Sequence, residues 1–365
     1  MSSETSDNAK EQETSMKNNN SSPAQDYVNN LLSEGAKVTC DDVSEGFRYH
    51  TALPPYYDEE EFKRLVYSLK LTQKFFYKHI FSFFFSKCLG LVSVLSIPSI
   101  LKILIFTKMS GSEMTSYRRY LSTIFHMMIW YDSDFEPGSK LWRSIAEVRS
   151  LHNSASNRSC TAGLSRITQK DMALTQFGFM GFALVRSKML GIHESSDNEW
   201  KAFLHLWRVI GYLMGIEERF NLCNGTVDEV RERCNILVEQ IFRPNIERKD
   251  EDFINMSRYM INGLYSINIF IRFETVMCFL HILSQSDSSD RKMQSTHYPL
   301  DASQQSNLNF LVTVLSMLRW TWFRVFENYS HMLTLWIVKV FPIIAMYQFG
   351  ITNARVRILS KNKSD

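Results

Sequence analysis

The chain has 365 residues, 45% of them apolar and 13% aromatic, and a formal net charge of +3. That is enough apolar material for a buried core, which excludes a chain that is disordered throughout. No Lys/Arg run carries interleaved aromatics, which argues against a nucleic-acid groove. Six scattered cysteines without a CxxC pair argue against a disulfide framework or a structural zinc site.

Residues 1–46 hold nine acidic and three basic side chains, so they carry −6 and the remainder +9. A basic body of this kind suits anionic headgroups. The same segment is rich in Ser, Asn, Glu and Gln and has no charged n-region followed by an apolar run, so it is not a secretory signal. It is expected to be a disordered acidic and polar tail. Residues 47–365 are expected to form a single domain.

After Pro54 and Pro55, the acidic run Asp58 to Glu61 suits a helix N-terminus, and Phe62, Leu65, Val66 and Leu69 follow at helical spacing. From there apolar residues recur at steps of three and four, with no sustained alternation. The periodicity predicts an all-α, multi-helix globular bundle. Polar breaks fall near 108–115, 132–140, 192–199 and 243–252, and 284–309 reads as a surface loop. Residues 79–107 are very apolar, but Lys87 and Lys102 bracket only fourteen uncharged residues and Pro98 interrupts them. A spanning helix needs about 18–20. Residues 328–354 are long enough, with Lys339 and Pro342 inside and Arg355 and Arg357 after them. This segment predicts an apolar C-terminal helix, either buried in the core or associated with a membrane; if it spans, the basic end lies on the cytoplasmic side.

Three blocks carry candidate chemistry. Arg119 and Thr123 lie four apart, so a guanidinium and a hydroxyl can address one ligand, and His126 follows three residues on. Arg149, His152 and Ser156 fall at i, i+3 and i+7 on one helix face. A neutral imidazole can ligate haem iron or a non-haem metal, and an arginine can pair with a haem propionate. The third block runs from Gln169 through Asp171 and Thr175 to Phe177, then from His205 through Gly211 and Gly215 to Ile216. Taken singly, each has an ordinary explanation: a solvated face, a structural histidine, and packing.

In this order the blocks resemble the catalytic domain shared by the bacterial rubber oxygenases (latex-clearing protein) and the ER-bound oxygenase of mycophenolic acid biosynthesis. The resemblance covers roughly 60–280. It implies an all-helical bundle with haem b held in a pocket between helices. It also implies a reaction with O2 on an unsaturated lipid or isoprenoid chain, at a membrane such as that of the endoplasmic reticulum. Carried over by position, His152 is the haem and metal ligand and Arg149 its neighbouring cofactor contact, while Arg119 and Thr123 lie on the distal, catalytic side. Three departures stand against the pattern. Ser122 replaces a distal lysine, Ser156 replaces an arginine (Arg158 is two residues off phase), and no Asp or Glu occurs between Glu61 and Glu113 to act as base. Two alternatives follow: a catalytically inactive membrane-associated relative that binds haem or a hydrophobic ligand, and a porphyrin-free metal site built from His126 and His152 with Glu113 or Glu147.

Overall fold

The N-terminal segment departs first from its sequence-based expectation. Within the polar tail expected over 1–46, Ser22 caps a helix, α1 (Pro23–Ser33), accepting from the Gln25 amide, with proline at its first turn. Ala24, Val28 and Leu31, one stripe at helical spacing, are buried, and α1 packs on α9 (Val227–Leu237). Three apolar residues on one face are enough because the partner helix supplies the rest of the core. The computed structural model describes residues 21–41, 59–132, 138–268, 271–285 and 299–359, with side chains except at 59–66, so the other parts of the expected tail lie outside the described residues.

The body is helical, and among the described residues the only β pairing is one bridge between Thr39 and Thr168. Helix α2 (Glu59–Lys78) starts in the acidic run and turns by 90° at His79 into α3 (Ile80–Leu95); α4 (Pro98–Thr107) opens on Pro98. α5 (Glu113–Asp132) and α6 (Lys140–Thr161) pack against each other, followed by α7 (Gln169–Val185) and α8 (Asp197–Leu213). Capping boxes start α7 (Thr168 with Asp171), α8 (Ser196 with Glu199) and α9 (Thr226 with Glu229), which explains the sharp entries after polar breaks. Helix α9 runs through a π-helical turn, Val238–Phe242, into α10 (Arg243–Glu247), so the break expected from residue 243 is helical at its start. Then come α11 (Glu251–Gly263), α12 (Phe273–Ser284) and α13 (Ala302–Met317).

Helices α3 and α7 form the centre. A Cβ on Gly90 would lie 2.0 Å from the Gly178 carbonyl oxygen, so the two backbones touch where they cross. Around them, Phe76 stacks on Tyr131 at 3.9 Å between ring centres, and Lys87 is buried with its amine 4.8 Å from the centre of the Phe83 ring.

The C-terminal expectations need correction. The loop expected over 284–309 is shorter: Ser284 closes α12, and 302–309 already belong to α13, capped by Asp301 and Gln304. Residues 286–298 lie outside the described residues. The single helix expected over 328–354 is broken. α14 (Thr321–Val340) ends before Pro342, which lacks an amide hydrogen, and α15 (Ile343–Phe349) leaves at 50°. Gly350, with φ +81°, separates α15 from α16 (Ile351–Ala354). Among the described residues no single helix is long and apolar enough to cross a membrane; the pairs α2/α3 and α14/α15 reach that length and composition only as bent pairs. The last stretch is tied back to the centre. Tyr117 donates from its hydroxyl to the Ala354 carbonyl at 2.8 Å, Arg118 reaches the Asn353 carbonyl at 3.1 Å, and the Leu359 amide donates to Glu147 at 3.1 Å.

Candidate active site between α5 and α6

Antiparallel packing of α5 on α6 sets two facing pairs. At one end His126 Nδ1 lies 2.7 Å from the Ser144 hydroxyl, which also accepts from Trp130 Nε1. Further along, Arg119 of α5 and His152 of α6 come within electrostatic reach of each other. Burial first, and the Arg119 charge second, push the His152 imidazole down to about 4, so it is neutral at neutral pH. Its Nδ1 is buried and has no hydrogen-bond partner. Burial also lowers the Arg119 guanidinium from its usual range, and Tyr120, whose phenol burial raises, is its other charged-group neighbour. Among the described residues no carboxylate shifts either group. Both residues are half-buried.

The stripe of Arg149, His152 and Ser156 separates in space. His152 addresses α5, whereas Arg149 is buried and donates from Nη1 to the Leu213 carbonyl at 3.0 Å, at the end of α8. There Gly215 (φ +98°) closes a Schellman turn: the Ile216 amide donates to the Gly211 carbonyl and the Gly215 amide to that of Tyr212. A Cβ on Gly215 would lie 3.2 Å from Arg149 Nη2 and 2.9 Å from the Cys40 carbonyl oxygen. Gln169 completes this knot by donating to the Thr39 and Gly215 carbonyls. Ser156 is also structural, its hydroxyl accepting from the Ile167 amide at 3.0 Å. Arg158 is exposed and turns back to the Ser154 carbonyl, so it does not replace the arginine missing at 156.

Thr123, one turn after Arg119, donates to the Arg119 carbonyl at 3.1 Å, which leaves its oxygen lone pairs free to accept. The two carboxylates considered as replacement bases are engaged elsewhere. Glu113 accepts from Asn262 at 2.8 Å on an exposed edge, and Glu147 sits 4.0 Å from His126 and holds the Leu359 amide. Among the described residues no group of three His, Cys, Asp or Glu gathers to hold a metal ion, so His126, although 4.0 Å from Glu147, does not join His152 and a glutamate in one ligand set. In the third block, Thr175 bonds back to the Asp171 carbonyl, and Gln176 ties Trp207 to Asn221, the packing role expected of it. Sequence reasoning passed over Tyr120. It is adjacent to Arg119 in sequence, and helical spacing does not pair i with i+1.

Residues 90–259, slightly under half of the chain, match the family model described as the ER-bound oxygenase mpaB/B'/rubber oxygenase catalytic domain. Arg119, Thr123, Arg149 and His152 all fall inside the match, and the resemblance read from the sequence is thereby borne out. No curated protein and no solved structure matches the chain. The matched segment is thus similar to an oxygenase catalytic domain, and it lies in an all-α fold.

Proposed function

We propose that this chain is a haem b-dependent, oxygenase-like protein that acts with O2 on an unsaturated lipid or isoprenoid chain. The observation that carries the reading is the pairing across α5 and α6 of an imidazole kept neutral by burial, its Nδ1 without a partner, with a desolvated guanidinium. His152 would hold the iron through a ring nitrogen free of a proton, and at neutral pH its imidazole is uncharged. Haem b, when bound, would supply the iron at which O2 is activated. Arg119 would hold its charge toward developing negative charge or a haem carboxylate, gaining strength from the low dielectric around it. Thr123 offers an acceptor or a donor one helical turn away. Arg149 acts as a positioning residue, fixing α6 against α8 and so the rotation at which His152 is presented.

The fit also supports a second reading, in which haem or a hydrophobic ligand is bound without turnover. Its specific support is the engagement of Glu113 and Glu147 away from Arg119 and His152, so that neither of the two considered as a base serves there.

A membrane surface is the proposed location, at the endoplasmic reticulum or another cytoplasm-facing bilayer. Trp322, Phe326, Trp336, Phe341, Ile343 and Tyr347 are all exposed, Tyr347 at 93%. Aromatic side chains of this kind anchor at headgroup level, and Arg355 and Arg357 next to them suit anionic lipid. The first experiment is an absorption spectrum of the protein purified with haem precursor supplied, beside His152→Ala. A Soret band that vanishes in the variant, with helical content kept, supports the reading. A folded wild type without a Soret band, or a variant that keeps full haem, defeats it. O2 consumption with unsaturated lipid then separates turnover from binding alone.

A further inference from the structure

A cavity of about 710 Å³ lies beneath α12–α15, in the range of small-molecule sites, about 300–1,000 Å³. Its walls are apolar, from Phe81 and Phe85 of α3, Val276 of α12, Leu311 and Val314 of α13, and Val338 of α14. Three of the residues in this lining carry a buried polar atom without a partner: the Ser266 hydroxyl after α11, the Thr275 hydroxyl on α12 and His331 Nε2 on α14. Native interiors seldom leave buried hydroxyls unpaired, so three in one cavity ask for a ligand atom or water. The mouth is formed by Phe310, Phe326, Ile337, Ile343 and Ile344, which are also exposed residues of the apolar C-terminal face. Most of this lining lies beyond residue 259, and none of it is shared with His152 or Arg119.

We propose that this cavity is a second binding site, which takes a single-chain lipid alcohol, hydrocarbon chain along the apolar walls and hydroxyl among Ser266, Thr275 and His331. A hydroxyl both donates and accepts, as hydroxyls and an uncharged imidazole require. The charge state of the lining favours a neutral group over a carboxylate. Burial pushes His331 down to about 4, so it stays uncharged, and burial raises the Glu327 carboxyl beside it. Arg272 is the lining cation, but it is exposed and lies over the Tyr265 ring, 5.4 Å from its centre. A fatty acid would therefore bring a carboxylate in beside a carboxyl group, with no buried cation to meet it.

The test is retention of radiolabelled hexadecanol, hexadecanoate and hexadecane by the purified full chain, with Thr275→Val and Val314→Trp compared. Thr275→Val keeps the shape and removes one hydroxyl; it should weaken hexadecanol by about tenfold and leave hexadecane unchanged. Val314→Trp should fill the space and abolish retention of all three, with an unchanged circular dichroism spectrum as the fold control. His152→Ala should retain hexadecanol as the wild type does, which keeps this proposal separate from the haem assignment. The proposal is overturned if the wild type retains no hexadecanol, if hexadecanoate is preferred, or if retention survives a folded Val314→Trp.

Discussion

Lys87 sits in the middle of α3 with no partner for its amine, at 4.8 Å from the centre of the Phe83 ring and 5.2 Å from those of Phe76 and Tyr131. Two effects compete there. Ring faces attract a desolvated ammonium by about 2 kcal/mol or more, while removing an unpaired ion from water costs several kcal/mol after relaxation. Desolvation wins, and burial pushes the Lys87 amine well below its usual range. Burial thus favours the uncharged amine, which has no hydrogen bond, a penalty of about 1–3 kcal/mol. Lys87→Met keeps the length of the stem and the contact with the rings while removing the polar atom. We expect it to raise stability by at least about 1 kcal/mol near neutral pH. The sign of the pH dependence follows from the same shift. The unfolded lysine binds a proton below about 10.4 and the folded one only at lower pH. The unfolded state therefore holds more protons in between, and wild-type stability should rise with pH across that window. The variant should lose that part of the slope. Urea midpoints by circular dichroism, near neutral and near pH ~9, read both effects. A variant less stable than wild type, with the slope unchanged, would mean that the rings hold a charged ammonium.

Other perturbations test neighbouring parts of the argument. Gly90→Ala drives a methyl into the Gly178 carbonyl and should cost about 1–3 kcal/mol or more, read as a lowered melting temperature. Arg149→Met removes a charged donor from the Leu213 carbonyl and should cost about 2 kcal/mol. Because α6 is then less firmly held, haem should also bind more weakly than in wild type, whereas equal haem affinity would show that His152 is presented independently of α8. Trp322→Ser with Tyr347→Ser should reduce flotation with anionic vesicles while the melting temperature stays unchanged. Unaltered flotation would remove α14 and α15 as the contact surface.

The helical class was legible in the sequence because the apolar period persists through most of the body. The likeness to the oxygenase domain was legible from the order and spacing of Arg119, Thr123, Arg149 and His152. What spacing could not supply was direction. Arg149, His152 and Ser156 share a helix face, yet a face that wide meets three neighbours, and only packing decides which residue meets which. α1 was hidden for a related reason: its stripe of Ala24, Val28 and Leu31 is too short to signal a helix without the partner surface of α9. Lys87 entered the sequence reading only as a charge that interrupts an apolar run. Its cage draws on α2, α3 and α5, which no local pattern connects.

The hydrogen bonds from Tyr117 and Arg118 to the carbonyls of Ala354 and Asn353 bear on how the protein can be shortened. An apolar C-terminal stretch invites deletion to obtain a better-behaved protein for biochemistry. Here the stretch is a strap fastened to the helix that carries Arg119, two residues beyond Tyr117. Cutting at the Phe341–Pro342 break would strand the buried Tyr117 hydroxyl and release Glu147 from the Leu359 amide. Such a truncation would lose the fastening of the very helix pair whose reactivity it was made to measure, so low activity in it would report on the missing strap. Detergent or nanodisc preparations of the full chain avoid that confusion.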